Sequence, residues 1–178
     1  MLGGARSGKS RFAVSSQPDR ARVAFVATAE PGDAEMVARI ARHRAERPQH
    51  WRTVEAPVDL VDRLTGLAAE VDAALVDCLT VWVSNRLLRG DPDQAVLEET
   101  ERLAGLIETR RLQLTLVSNE VGEGVHPPTA AGLRFRDLLG LVNQKIAAVA
   151  DRVVLMVAGI PVTLKSGRVP VGTTPETP

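Results

Sequence analysis

Gly3-Gly4-Ala5-Arg6-Ser7-Gly8-Lys9-Ser10 decides how this chain is read. It fits the pattern Gly-x-x-x-x-Gly-Lys-[Ser/Thr]. Glycines there let backbone N–H groups turn inward and form a concave nest for phosphate. Lys9 is placed to reach the β- and γ-phosphates, and Ser10 to ligate Mg²⁺ through its hydroxyl. All eight residues are therefore expected to bind a nucleoside triphosphate. The structural alternative is a glycine-rich turn with a surface lysine. Such a loop follows a buried strand, and only Met1 and Leu2 precede it here. Losing about three buried aliphatic residues costs on the order of 5–9 kcal/mol. The expectation is a truncated first strand, with the true start upstream of Met1.

Outward from the loop, short apolar runs alternate with amphipathic stretches. Residues 23–28, 73–77, 114–118 and 153–157 are nearly continuous apolar runs, the pattern of parallel strands covered on both faces. Residues 9–16, 34–45, 58–69, 94–111 and 130–150 read as helices. In the fourth, Glu98 and Glu99 come early and Arg110 and Arg111 late, an order that suits the helix dipole. The alternation predicts a three-layer α/β, P-loop NTPase-like fold with a mostly parallel sheet. Gly159 and Pro161 leave space only for a hairpin, so one antiparallel strand is expected over 161–165. A single domain is expected over 1–165, with a disordered tail over 166–178, where Gly, Pro and Thr leave little to bury.

The 178 residues suffice for one substantial core. Lys plus Arg and Asp plus Glu are each 22, so charge gives no case for nucleic acid or an anionic membrane. Low net charge tolerates self-association. Cys78 is the single cysteine, which excludes an internal disulfide and fits a cytoplasmic protein. No apolar run is long enough to span a bilayer.

Asp77 ends the third apolar run, where this kind of fold places a second Mg²⁺ contact. A helix cap or turn is the alternative. Arg39, Arg42, Arg44, Arg47 and Arg52 crowd around His43. Nearby positive charge keeps an imidazole neutral and nucleophilic, and suits a polyphosphate. The alternative is a solvated basic helix face. Glu55 is a candidate for guanine or ribose, or an ordinary solvated glutamate.

Together these segments resemble the bifunctional adenosylcobinamide kinase/adenosylcobinamide-phosphate guanylyltransferase family of cobalamin synthesis, from Gly3 to about residue 165. The resemblance is carried by residues 3–10, Ala27-Thr28, Arg39-Ile40, His43, Arg47-Pro48, His50-Trp51-Arg52-Thr53 and Glu55. It continues through Asp77-Cys78-Leu79-Thr80, Asn85, Ser118-Asn119-Glu120-Val121-Gly122, Phe135-Arg136-Asp137, Gly140 and Asn143-Gln144. It implies phosphorylation of the aminopropanol hydroxyl of adenosylcobinamide, with ATP or GTP as donor. Transfer of GMP from GTP follows, through a guanylyl-histidine that matches His43, not His50. It implies nucleotide contacts at 3–10, Ala27, Thr28, Ala29, Arg44, Ala45, Glu46, Arg47, Glu55 and Asp77, where the family often has the longer Glu. Lys9 and His43 would be the catalytic residues, Mg²⁺ the cofactor and a homotrimer the assembly. Asn119 and Glu120 follow residues 114–118 at the edge where α/β ligands bind, where they contact the corrinoid or position its hydroxyl, or only form a helix cap or turn.

Three other readings compete, one of them an ATP-dependent assembly or motor protein, for which a small neutral domain offers no obvious partner surface. A monofunctional P-loop small-molecule kinase would use Lys9, Ser10 and Asp77 and leave His43 inert. A GTP switch would need Asn-Lys-x-Asp, whereas Asn119 is followed by Glu120.

Overall fold

The computed structural model describes residues 1–19, 21–32, 41, 44 and 47–167. The apolar runs become strands. β2 (Val23–Ala27) and β4 (Ala73–Asp77) each have four buried residues of five, because both are interior strands covered on two faces. β5 (Gln113–Val117) and β6 (Arg152–Val157) follow the other two runs. β7 (Ile160–Ser166) returns antiparallel from β6. At the amino end, β1 (Leu2–Gly3) runs parallel to β6.

Two strand sets result, β3-β2-β4-β5 and β1-β6-β7, where β3 is Arg52–Glu55. Backbone bonds join them. The Met1 amino group donates to Leu116 O at 2.8 Å, Ser118 N–H to Met1 O at 2.9 Å, and Glu120 N–H to Gly3 O at 3.2 Å. Both partners advance in the same direction, so β1 lies parallel between β5 and β6. The sheet is mostly parallel, with β7 as its antiparallel strand.

The helices are α1 (Lys9–Ser15), α2 (Leu60–Leu67), α3 (Leu79–Leu88), α4 (Asp93–Glu108) and α5 (Ala130–Val149). Strand residues alternate between faces, so the core has two halves. Ala24, Val26, Ala74 and Val76 pack with Leu60, Leu64, Trp82, Val83, Leu103, Leu139 and Val142 of α2 to α5. Phe25, Leu75 and Val117 point the other way, against Ala13 of α1, with Trp51 and Cys78 alongside. Helices on both faces make the three layers expected. Each fully buried Leu, Phe or Trp contributes about 1.5–3 kcal/mol.

Two elements went unpredicted. β3 is an edge strand of the sequence Arg-Thr-Val-Glu, with only Val54 apolar. α3 is rich in Thr and Val, yet Leu79, Trp82 and Val83 lie buried at helical spacing. One detail is corrected. α4 ends at Glu108 and its first-turn acid is Asp93; Arg110 lies beyond the helix at φ 55° and pairs with Asp151. The tail over 168–178 and most of the helix expected at 34–45 lie outside the described residues; Ala41 and Arg44 are helical.

Candidate active site

Strand register sets the site's geometry. Glu55, Ala27, Asp77 and Val117 form one row at the carboxyl ends of β3, β2, β4 and β5. Met1 continues that row on β1 through its bonds to β5. The 3–10 loop therefore rises from the same edge, where ligands bind in open parallel sheets.

Within the loop Arg6 and Gly8 take positive φ, 57° and 90°, which turns the chain into a concave hook. Gly3 is packed tightly: a Cβ there would lie 2.6 Å from Ser7 Oγ and 2.7 Å from Met156 O. The β6–β7 turn braces the loop from outside, with Gly159 N–H donating to Ser7 O at 3.0 Å. Lys9 is buried and its Nζ donates to Gly4 O at 2.9 Å, so its charge stays inside the hook. Gly4, Ala5 and Arg6 are exposed around it, and Ser10 is half-buried.

A hydrogen-bonded clamp fixes the neighbouring strand ends. Thr28 is fully buried, and its Oγ1 donates to Cys78 O and accepts from Cys78 N–H, both at 2.8 Å. Asn85 Nδ2 donates to Thr28 O at 2.8 Å and Pro57 O at 3.0 Å. The Thr28 side chain thus serves the protein, and half-buried Ala29 is what this segment turns outward. Burial and then the Asp77 charge push the Cys78 thiol up, which leaves it protonated and inert at neutral pH.

Arg47 stacks on Phe25, its guanidinium carbon 3.2 Å from the ring centroid. Burial lowers this guanidinium to about 10, while Asp77 opposes the shift and Arg44 adds to it. It stays charged at pH 7, and its Nε is buried with no hydrogen-bond partner among the described residues. Arg44, Arg47, Asp77 and the loop are therefore gathered at one edge, and Glu55 stands exposed two strands from Asp77. His43, Ala45 and Glu46 lie outside the described residues.

His50 is placed elsewhere. It lines a cleft of about 460 Å³ with Arg22, Val23, Arg52 and Val71, at the amino ends of β2, β3 and β4. A five-residue strand is about 13 Å long, so this cleft sits a strand's length from the glycine loop.

Sequence reasoning also missed a second polar network. Asn119 N–H donates to Thr80 Oγ1 at 2.7 Å, Asn143 Nδ2 to Asn119 O at 3.0 Å, and Ser118 Oγ to Asn143 Oδ1 at 2.7 Å. Asn119 was placed at the strand edge, whereas Thr80, Ser118 and Asn143 were visible only as marks of the resemblance. Nothing in their spacing says that α3, β5 and α5 meet beside the glycine loop.

A buried lysine inside a backbone hook, with a carboxylate and an arginine on the same edge, suits group transfer from a nucleotide. Fold and site thus define a transferase of P-loop-like architecture. Comparison narrows the class: the chain belongs to the CobU family, cobinamide kinase / cobinamide phosphate guanyltransferase, which matches residues 1–164. It is 45% identical over 166 residues to the bifunctional adenosylcobalamin biosynthesis protein CobP of Pseudomonas aeruginosa, covering 93% of this chain and 95% of that one. To the bifunctional CobU proteins of Salmonella typhimurium and Escherichia coli K12 it is 41% and 39% identical, covering 93% of this chain and 98% of each relative. It is accordingly an enzyme of cobalamin biosynthesis with kinase and guanylyltransferase activities. Among the described residues no helix is long and apolar enough to cross a membrane.

Proposed function

We propose that one nucleotide site serves both reactions, and that GMP passes through a covalent bond to His43. The 3–10 loop would cradle the triphosphate of GTP, or of ATP in the kinase step. Lys9, Arg44 and Arg47 would offset its charge. Ala27, Ala29, Ala45, Glu46 and Glu55 would line the rest of the nucleotide, with buried Thr28 fixing Ala27 and Ala29 from behind through Cys78. Neutral His43 attacks the α-phosphorus, its N–P bond forms and the bond to pyrophosphate breaks. The acceptor phosphate of adenosylcobinamide phosphate then takes GMP and frees the histidine.

The single observation that carries this reading is the shared edge: loop, Arg47, Asp77 and Glu55 all lie at the carboxyl ends of the strands. The buried Nε of Arg47, a donor with no partner among the described residues, is what a bound phosphate would satisfy. The placement of His50 at the opposite edge supports His43 as the nucleophile.

Ser10 and Asp77 fit Mg²⁺. Both offer hard oxygen, and no cluster of three His, Cys, Asp or Glu occurs among the described residues. Mg²⁺ commonly takes one or two protein oxygens and completes its shell with phosphate and water. When bound, the ion would supply charge neutralisation on the phosphates. A homotrimer in the cytoplasm completes the proposal. The exposed aliphatic residues Ile160, Val162 and Leu164 of β7 support self-association.

The test is intact mass after incubation with GTP and Mg²⁺, at neutral pH and after acid. A GMP-sized adduct that acid removes is expected in the wild type and in His50→Ala, and its loss in His43→Ala. An adduct that persists in His43→Ala would reject this assignment. No adduct on the folded wild-type protein would leave the monofunctional kinase mechanism.

A further inference from the structure

We propose that Glu120 is the general base of the kinase step, and that the guanylyl step does not use it. The inference rests on the reading of the 3–10 loop as the triphosphate cradle. Among the described residues, Glu55, Asp77 and Glu120 are carboxylates at the carboxyl edge, and the strand order separates them. Strands lie about 4.8 Å apart. Glu55 on β3 is four strands from β1, roughly 19 Å, and Asp77 on β4 is two strands away, roughly 10 Å. Glu120 adjoins β1 directly, its backbone N–H bonded to Gly3 O at 3.2 Å.

Glu120 is also held in place. Thr80 and Asn143 bond the backbone of Asn119 on both sides, at 2.7 and 3.0 Å. The half-buried Glu120 carboxylate accepts from Gly122 N–H through Oε1 at 2.9 Å. Its Oε2 takes no hydrogen bond among the described residues. A fixed carboxylate with one open oxygen beside the phosphate loop is what proton removal from an attacking alcohol requires.

The two reactions differ in that need. In the kinase step the alcohol oxygen bonds to the γ-phosphorus. The bond from that phosphorus to the β,γ-bridging oxygen breaks, the nucleoside diphosphate leaves, and the hydroxyl proton passes to Glu120. In the guanylyl step the nucleophiles are a neutral imidazole and a phosphate monoester, whose second pKa is about 6. Neither needs a base at pH 7.

Glu120→Gln keeps Oε1 as an acceptor for Gly122. Phosphorylation of cobinamide by ATP and by GTP should fall about 10²–10⁴-fold, the usual worth of a general base. GMP loading from GTP, and its transfer to cobinamide phosphate, should stay near wild-type rates. Glu120→Asp should recover part of the kinase rate. Wild-type kinase kcat should fall as acid protonates the base, a limb missing from the residual activity of Glu120→Gln. Unchanged phosphorylation in Glu120→Gln would overturn the assignment. So would an equal loss of both steps, which would mark a merely structural turn. Failure of the wild-type protein in both assays would reject the cradle reading, and this assignment with it.

Discussion

Asn85 acts through its amide alone: two N–H groups hold the ends of two strands, at Thr28 O and Pro57 O. Asn85→Ala leaves both carbonyls partly buried without that partner, a cost of about 1–3 kcal/mol. Urea unfolding should show that loss. KM for the nucleotide should rise more than kcat falls, because Ala29 and Glu55 lie within two residues of the clamped carbonyls of Thr28 and Pro57. Unchanged stability would show that the clamp is not needed. At this scale the glycine loop was legible, because Gly8 and Lys9 do chemistry that no other residue types do in that order. The clamp was not. Nothing about a buried threonine says that its hydroxyl is taken by Cys78, 50 residues away.

At the scale of elements, legibility followed burial. β2 and β4 announce themselves because an interior parallel strand is apolar at nearly every position. β3 is the end strand of its set, so half of its residues can be polar, and no apolar run marks it. α3 was obscured by β-branched residues, and packing against the other helices overrides their weak propensity. The amino ends of β2 and β4 are joined by charge. Asp72 accepts from Arg22 Nε at 3.3 Å, Nη2 at 2.7 Å and backbone N–H at 2.9 Å. These bonds lower its carboxyl from 3.8 to about 2. A carboxyl lowered by folding stabilises the native state above its unfolded pKa, and that contribution disappears as pH falls through the folded one. Asp72→Asn should therefore have a flatter acid limb between about pH 4 and 2 in a thermal-unfolding series. An identical limb in both proteins would show that the pair plays no part.

For the whole molecule, the sheet's second edge poses the remaining question. β7 alternates from Ile160 to Thr163, and a register shift opposite Val153 and Val154 then interrupts the alternation at Leu164. Lys165 faces α5, where its Nζ bonds Ala147 O at 3.0 Å and Ala148 O at 2.8 Å, satisfying carbonyls of the last helical turn. Ile160, Val162 and Leu164 are 65%, 44% and 57% exposed. Single exposed side chains such as Leu88 and Val125 are ordinary, but three on one strand whose outer edge is unpaired among the described residues invite pairing or coverage. A neutral chain opposes such contact weakly, since 22 basic and 22 acidic groups leave no net repulsion. If this face joins the proposed trimer, Val162→Lys puts a charge at its middle without disturbing the core, because lysine on a free edge is well tolerated. Sedimentation velocity at micromolar concentration should then give a trimer for the wild type and a monomer for Val162→Lys, with unchanged far-UV circular dichroism. The same experiment reaches the active site. The β6–β7 turn carries Gly159, whose N–H braces Ser7 O in the glycine loop. Freeing the hairpin should therefore raise KM for GTP along with dissociation. A variant that remains trimeric would place the subunit contact elsewhere on the molecule. A monomer with an unaltered KM would show that the loop is braced well enough from within one subunit.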